Sequence, residues 1–247
     1  MSQPLFSIIT ITYNAEKVLS PTLLSVRAQS CRCFEHIIID GASSDSTLLI
    51  ARRDGIDGIK IFSEPDRGLY DAMNKGIARA TGKYLIFLNA GDAFASPDSM
   101  ARLANAASSQ PDIIYGQTQL VDASRSVVGP RHLSAPTHLS ADSFKHGMLV
   151  CHQAFVARRD LVPSYNLAYR FSADYDWCIR CLQRANTCTY IGDAPLISYL
   201  TDGLTDRNHS ASLRERFHIM CHYYGTIPTT LRHLAFALRH LRRKFFS

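Results

Sequence analysis

Short apolar runs, separated by polar loops and amphipathic stretches, fill residues 1–120. Five of these runs are predicted strands: SIITITYN (7–14), FEHIIID (34–40), IKIFSE (59–64), KYLIFLN (83–89) and DIIYGQTQLVD (112–122). Their length and their content of β-branched and aromatic residues are typical of strands in a buried sheet.

Stretches with helical periodicity lie between these strands. They are EKVLSPTLLSVRAQS (16–30), the residues from the GASSDST loop to Arg53, DRGLYDAMNKGIARATG (66–82) and SPDSMARLANAAS (96–108). Gly82 is expected to end the third of these helices. The alternation predicts an α/β fold with a Rossmann-like, mostly parallel central sheet flanked by helices. In such a sheet, ligands bind at the carboxyl ends of the strands.

The second half of the chain is less regular. Residues 123–150 are rich in Ser, Pro, His and Gly and are interpreted as a long loop region. SADYDWCIRCLQRA (172–185) and HSASLRERFHIMCHYY (209–224) are predicted helices, and Pro228 opens a last one. Loops of that length inside a compact domain are usually functional or mobile.

Composition is that of a folded protein, with 46% hydrophobic and 19% charged residues in 247. No apolar run approaches the roughly 18–20 residues that span a bilayer. The N-terminal MSQPLFSIIT has no basic segment before its apolar one, so we expect a cytoplasmic protein. Among the seven cysteines, Cys178 and Cys181 are more simply two buried thiols than a zinc site, because no second pair lies at a suitable spacing.

The net charge of +6 is concentrated at the C-terminus. In a helix over 229–247, one face would be apolar: Leu231, Leu234, Ala235, Leu238, Leu241 and Phe245. Arg232, Arg239 and Arg243 would lie opposite, which predicts a basic amphipathic helix that binds an anionic membrane surface. The alternative is a helix packed on the core with a solvated basic face. Nucleic acid is not an expected partner, because the basic residues do not spread across a face.

Two acids follow predicted strands and are candidate ligand-binding residues. Asp40 could accept hydrogen bonds from a nucleobase or ribose, or it could cap the next helix. Asp92, in FLNAGD (87–92), could bind Mg²⁺ or Mn²⁺ shared with a diphosphate, since such ions need only one or two carboxylates when phosphates complete the shell. Its alternatives are a turn residue or a cap for the helix after Ser96.

Asp174 and Asp176 lie near the start of a predicted helix. Residues two apart on a helix do not face the same way, so one carboxylate could enter the crevice while the other caps the helix or stays in solvent. A carboxylate beside an acceptor hydroxyl is a workable general base. The spacing alone does not choose between them.

Five motifs occur in order: SIITITYN, IIIDGASSDST, EPDRGLYDAMNKGIARATGKYLIFLNAGD, CHQAFVARR and ADYDWCIR. Together they resemble family-2 glycosyltransferases of the GT-A fold, and the bacterial enzymes of exopolysaccharide, O-antigen lipopolysaccharide and colanic acid synthesis above all. The resemblance implies a GT-A domain over 1–205, with a nucleotide-binding half (1–120) and an acceptor half (121–205). Residues 206–247 would form a C-terminal helical extension.

The resemblance also implies site residues. Matched by motif, the nucleoside-binding residues are Thr12, Tyr13, Asn14, Asp40 and Asp66. Asn89 and Asp92 match the metal-binding motif, although an amide stands at Asn89 where an acid is usual. Asp174 matches the general base, with Asp176 left open. His152 and Gln153 match residues that border the sugar and acceptor, although His152 could equally be a packed core histidine.

The implied reaction is an inverting transfer from a nucleotide-diphosphate sugar to a hydroxyl of a glycan or polyprenyl-linked acceptor. A lipid-linked acceptor would place the protein peripherally on the inner face of the plasma membrane. A different class, such as a nucleotidyltransferase on a similar sheet, is the alternative; it would be expected to have a Gly-rich, basic loop after the first strand. Neither GxGxxG nor GxxxxGK[ST] occurs in the sequence.

Overall fold

The computed structural model describes residues 3–201 and 209–234. Within them, one sheet holds the strands β1 (Phe6–Thr12), β2 (Phe34–Asp40), β3 (Lys60–Ser63), β4 (Tyr84–Phe87), β5 (Ala93–Phe94), β6 (Ile113–Val121), β7 (Val127–Pro130), β8 (Phe155–Arg158) and β9 (Cys188–Leu200). The helices are α1 (Leu19–Arg27), α2 (Thr47–Asp54), α3 (Leu69–Arg79), α4 (Ser99–Ala107), α5 (Ala173–Arg184) and α6 (His209–Tyr224). Short 3-10 helices span Ala141–His146 and His152–Ala154, and residues 226–234 are helical.

The strand order is β3-β2-β1-β4-β8-β6-β9-β5, with β7 paired to β6. β1, β2, β3 and β4 are mutually parallel, as the alternation of strand and helix predicts. β8 runs antiparallel to both of its neighbours, and β9 is parallel to β6. The α/β fold class is confirmed. The parallel half places the ends of β1, β2 and β3 at one edge, where chemistry is expected.

Burial explains why the first strands are readable in the sequence. Every residue of β1 and of β4 is buried, so both strands are continuous apolar or small-polar runs. Pro21 lies in the first turn of α1, where a backbone N–H has no intrahelical partner to lose.

Gly82 does not end α3, contrary to the prediction. The helix stops at Arg79, and Ala80 is already extended. A Cβ on Gly82 would lie 2.5 Å from the backbone carbon of Phe6 and 2.6 Å from the backbone nitrogen of Ser7. The glycine is therefore needed for close approach of this turn to β1.

The interpretation of 123–150 as a long irregular loop is wrong in part. Val127–Pro130 forms β7, a hairpin strand on β6, and Ala141–His146 is a 3-10 helix. The long strand β9 was not predicted at all. Its pairing with β6 shifts register twice, and Gly192 and Pro195 interrupt its pattern of side chains.

The C-terminal helix α6 packs on α5. Of the predicted basic amphipathic helix, residues 235–247 lie outside the described residues. Across residues 3–201 and 209–234, no helix has the length and apolar character that crossing a membrane would require. Cys178 and Cys181 are buried free thiols on α5.

Candidate active site

Asp40 joins the carboxyl ends of three neighbouring strands. It ends β2 beside Thr12 of β1, and its buried carboxylate accepts hydrogen bonds from Thr12 Oγ1 (2.9 Å), Ser43 N (2.9 Å) and Ser63 Oγ of β3 (2.7 Å). Burial acts to raise the pKa of Asp40, but the hydrogen bonds outweigh it and lower the pKa below its usual value. Asp40 is therefore an ionised group that fixes this edge of the sheet.

Asp40 is not the cap of the following helix, so that alternative is wrong. α2 begins at Thr47 and Ser46 occupies its N-cap position. The loop between β2 and α2 is instead tied to the end of β1, where Asn14 Oδ1 accepts a hydrogen bond from Ser44 N (3.0 Å). Asn14 itself has a positive φ of 46°, a conformation that asparagine tolerates better than most residues.

The side chains of Tyr13 and Asp66 both lie against Gly41. A Cβ on Gly41 would lie 2.5 Å from Asp66 Oδ2 and 3.3 Å from Tyr13 Cδ2, so a larger residue would displace one of them. The Tyr13 side chain is 67% exposed. A cleft of about 470 Å³ begins at Asn14 and is lined by residues 14–18, Ser44 and Asp45. The structure thus brings the five predicted nucleoside-binding residues to one edge.

Asn89 and Asp92 form a tight turn after β4, in which Asp92 N donates to Asn89 O (3.0 Å). The Asn89 Oδ1 atom is buried and accepts no hydrogen bond within the described residues. A buried acceptor without a donor costs about 1–3 kcal/mol, which a bound cation would offset.

Asp92 is buried, and both of its oxygens accept hydrogen bonds. Leu200 N donates to Oδ1 (3.1 Å) and Gln153 Nε2 donates to Oδ2 (2.7 Å). Burial raises the pKa of Asp92 to about 7, although these two hydrogen bonds and the nearby charge of Arg125 act to lower it. The helix-cap alternative is wrong, because Asp98 stands at the N-cap of α4.

Arg125 was missed in the sequence and reaches this turn from the β6–β7 hairpin. Its Nη1 donates to Gly91 O (2.6 Å), and its backbone has a φ of +68°. Burial lowers the pKa of Arg125, while the Asp92 carboxylate acts to raise it. The hairpin therefore places a cation against the NAGD loop.

The donor set at this turn fits an ion only if another molecule shares it. No group of three His, Cys, Asp or Glu side chains that could hold a metal occurs within the described residues. One carboxylate (Asp92) and one unpaired amide oxygen (Asn89) remain, which is the protein share of a magnesium site completed by phosphates.

Asp174 lies in the first turn of α5, after the N-cap residue Ser172. Its Oδ1 accepts hydrogen bonds from Tyr70 Oη (3.1 Å) and Tyr175 N (2.9 Å). Within the described residues Oδ2 accepts none, and the side chain is half-buried. Tyr70, at the start of α3, thereby joins Asp174 to the edge where β3 ends.

Asp176 has a different environment, although it lies on the same turn. It is buried and forms an ion pair with Arg180 (2.7 Å), and Tyr223 Oη of α6 donates to its Oδ1 (2.7 Å). Both oxygens are therefore held by protein groups. The geometry separates the two acids that the sequence left undecided: one oxygen of Asp174 has no partner among the described residues, whereas Asp176 is already paired with the cation Arg180.

His152 and Gln153 are buried between the two carboxylate sites. Gln153 holds Asp92, whereas His152 Nε2 pairs with Tyr165 Oη (2.6 Å) and its ring stacks on Phe87. Burial lowers the pKa of His152 to about 4, so the ring is neutral at pH 7. The ring is thus packed and hydrogen-bonded, and the role of His152 beside the sugar and acceptor stays a prediction.

Comparison with known proteins decides the class of this site. The sequence model described as "Glycosyl transferase family 2" matches residues 7–164. The chain belongs to glycosyl transferase family 2. The sequence-based prediction of a glycosyltransferase is confirmed by this match and by the names of its relatives.

Two mycobacterial glycosyltransferases are similar over most of their length. A "PGL/p-HBAD biosynthesis glycosyltransferase" of Mycobacterium bovis is 35% identical over 207 residues, covering 81% of this chain and 78% of that protein. An "Uncharacterized glycosyltransferase" of Mycobacterium tuberculosis is 38% identical over 190 residues, covering 72% and 69%.

Among solved structures, S. aureus TarS 1-349 has a TM-score of 0.66 with 17% identity. The aligned region covers 87% of this glycosyltransferase but 65% of the TarS chain, and it supports the GT-A fold alone. TarS 1-349 has also been crystallised in complex with UDP-GlcNAc.

Proposed function

We propose that this glycosyltransferase inverts the anomeric centre as it moves a sugar from a nucleotide-diphosphate sugar to a hydroxyl of a glycan or lipid-linked acceptor. The observation that carries the proposal is Asp174, which has one oxygen fixed by Tyr70 and Tyr175 N and the other without a partner in the part of the chain that the structure describes. A carboxylate held in this way is suited to accept a proton in a defined direction.

The donor nucleoside would bind where β1, β2 and β3 end. Tyr13 is exposed there and offers a ring face to a base, and Asp66 has its Oδ2 directed to the same place as Tyr13. Thr12 and Asn14 hold the two loops in position together with Asp40. The complex of TarS with UDP-GlcNAc supports a UDP-sugar as the first donor to test.

The donor diphosphate would lie against the NAGD turn, with Mg²⁺ or Mn²⁺ held by Asp92 and Asn89. Such an ion neutralises charge on a departing diphosphate. Arg125 brings a second positive charge to this turn from the hairpin. The unpaired Oδ1 of Asn89 supports its role as a ligand.

In the proposed reaction, Asp174 Oδ2 accepts the proton of the acceptor hydroxyl as that oxygen bonds to the anomeric carbon. The bond from this carbon to the diphosphate oxygen breaks in the same step, and the nucleoside diphosphate leaves with the electron pair. Attack from the face opposite the leaving group inverts the centre in one displacement. Tyr70 keeps Asp174 Oδ1 occupied, so that Oδ2 faces the acceptor.

The acceptor is proposed to be lipid-linked, as in bacterial surface polysaccharide synthesis, and the protein to act peripherally at the inner membrane surface. The mycobacterial relative named for PGL/p-HBAD biosynthesis supports a lipid-linked product. Ile227, Leu231 and Leu234 lie on one side of the helical residues 226–234 and are 76%, 62% and 57% exposed. Exposed apolar side chains that lead into a basic segment fit an anionic bilayer.

Thermal unfolding of the protein with a panel of nucleotide sugars, each with Mn²⁺, Mg²⁺ or EDTA, tests the proposal. A bound donor raises Tm by mass action, and a concentration 100-fold above Kd stabilises by about 2.7 kcal/mol. We expect one nucleotide class to stabilise in the presence of the ion. An unchanged Tm across the panel would contradict the donor assignment, and release of nucleoside diphosphate from the stabilising donor then measures turnover.

A further inference from the structure

Glu215 of α6 accepts three backbone hydrogen bonds from the residues that lead into α5. Its Oε1 accepts from Arg170 N (2.8 Å), and its Oε2 accepts from Phe171 N (2.7 Å) and Ser172 N (2.9 Å). These contacts span 43 to 45 residues of sequence. One carboxylate thus fixes three consecutive peptide groups immediately before the helix that carries Asp174.

Two further contacts connect the same helices. Ser172 Oγ pairs with Ser212 Oγ (3.0 Å) in a buried position, and Tyr223 Oη donates to Asp176 (2.7 Å). α6 therefore holds the first turn of α5 at three points spread over most of its own length. Its residues lie beyond the 7–164 segment that the family's sequence model matches.

The position of Asp174 depends on this segment. Asp174 comes two residues after Ser172, and the backbone is helical from Ala173 onward. A negative charge before a helix N-terminus is stabilised by the exposed N–H groups and the helix dipole. If the backbone of 170–172 shifts, the carboxylate of Asp174 moves with it relative to Tyr70, which belongs to a different part of the fold.

We propose that Glu215 is a positioning residue for Asp174, which makes the C-terminal helix α6 a part of the catalytic apparatus. The inference rests on the proposed role of Asp174 as the general base. In-line transfer needs the base within hydrogen-bond reach of the acceptor oxygen. A displacement of 1 Å can lower the rate by as much as about 100-fold. Glu215 touches neither donor nor acceptor in this proposal.

Glu215→Gln removes the charge and turns an amide N–H group toward backbone N–H groups. We expect faster hydrogen exchange at the amides of 170–172 and a fall in kcat of about tenfold. The KM for the donor, with its Mn²⁺, is expected to stay within about twofold, because the donor binds at the ends of β1 and β2. Arg214→Ala, an exposed neighbour on α6, is the matched control and should change none of these values.

Turnover is measured as nucleoside diphosphate release from UDP-GlcNAc, or from whichever donor of the panel releases most, at temperatures well below each variant's Tm. Glu215→Asp, which keeps the charge on a shorter side chain, should recover part of the lost kcat. It replaces Glu215→Gln in the assay if Glu215→Gln does not fold. Slow exchange at 170–172 or an unchanged kcat in a folded Glu215 variant overturns the inference, even if Tm falls.

Asp174→Asn, assayed beside these variants, separates this inference from its premise. An inactive Asp174→Asn enzyme with a fully active Glu215→Gln enzyme refutes the role of Glu215 and keeps Asp174 as the base. An active Asp174→Asn enzyme refutes the base assignment itself, and the positioning role falls with it.

Discussion

The phenol of Tyr70 donates a hydrogen bond of 3.1 Å to Oδ1 of Asp174, across 104 residues of sequence. Tyr70 is itself buried at the start of α3 and stacks on Tyr165. Its burial and the adjacent charge of Asp174 hold the pKa of this phenol well above its usual value. The hydroxyl is therefore protonated at neutral pH and can donate to Asp174. The contact fixes which oxygen of Asp174 is free.

Tyr70→Phe is therefore expected to lower kcat by about tenfold while the donor KM stays within twofold. The lost hydrogen bond to a charged group also costs about 1–3 kcal/mol of unfolding free energy. Tyr190→Phe is the matched control, because it removes the same type of bond from Asp193 within β9 instead. Equal kcat losses in the two variants would contradict a specific role for Tyr70.

Asp174→Asn and Asp176→Asn should separate catalysis from stability. Asp174→Asn is expected to lose at least about 100-fold in kcat and to keep its donor affinity. Asp176→Asn breaks a buried ion pair with Arg180 and is expected to lose about 3 kcal/mol of stability. Steady-state kinetics of both variants measure kcat, and urea unfolding measures their unfolding free energies. Retained turnover in Asp174→Asn would move the base elsewhere.

The first half of the fold could be predicted because β1, β4 and most of β2 are buried, so apolar composition marks these strands directly. β9 could not, since Gly192 to Pro195 break its pattern and its pairing with β6 is irregular. Asp92 and Asp174 could be predicted as candidate site residues from their positions in the motifs. Their partners Arg125 and Tyr70 escaped notice because those contacts join residues far apart in the chain, where no local pattern reports them.

Asp92→Ala is expected to reduce transfer by about 100-fold or more and to abolish its stimulation by Mn²⁺. Titration of Mn²⁺ into the complex with nucleoside diphosphate measures the affinity directly. Asn89→Asp is the informative companion, because a second carboxylate should tighten Mn²⁺ binding if residue 89 faces the ion. Undiminished wild-type activity in EDTA would refute the metal site.

Stability is expected to fall as pH drops from about 6.5 toward 4. Burial lowers the pKa of His36 to about 3 and that of His152 to about 4, so the unfolded chain binds two more protons in this range. Each contributes a slope of about 1.4 kcal/mol per pH unit. Asp92, with a pKa raised by burial to about 7, binds its proton in the folded state and offsets one of them.

His36→Gln tests this account at a residue far from the proposed chemistry. Its ring Nε2 pairs with Thr10 Oγ1 (2.9 Å), a contact that glutamine can replace. The difference between the unfolding free energies at pH 5 and pH 7.5 should be smaller in the variant than in the wild type by about 2 kcal/mol, which is one proton's slope over the roughly 1.5 pH units below pH 6.5. The same difference in both proteins would show that His36 does not titrate as its burial implies.

Removing residues 235–247 is expected to weaken binding to liposomes that contain anionic lipid. The cut spares the described helix, including Thr229, which is buried. Each Lys or Arg near an anionic surface contributes about 1 kcal/mol, and the effect should vanish in neutral liposomes or high salt. Sedimentation with vesicles measures this. Equal binding of the truncated and full-length chains would contradict membrane contact through the tail.

β9 is synthesised late, so the sheet around Asp92 cannot be completed until most of the chain has left the ribosome. Leu200 donates to Asp92, 108 residues earlier, and among the described strands β5 pairs only with β9. A ribosome adds about 5–20 residues per second, so the Asp92 turn is made roughly 5–20 s before its partner strand exists. Until then β6 and β5 have open edges that invite pairing with other chains. Prematurely terminated products that stop short of residue 200 should accordingly be insoluble rather than partly active.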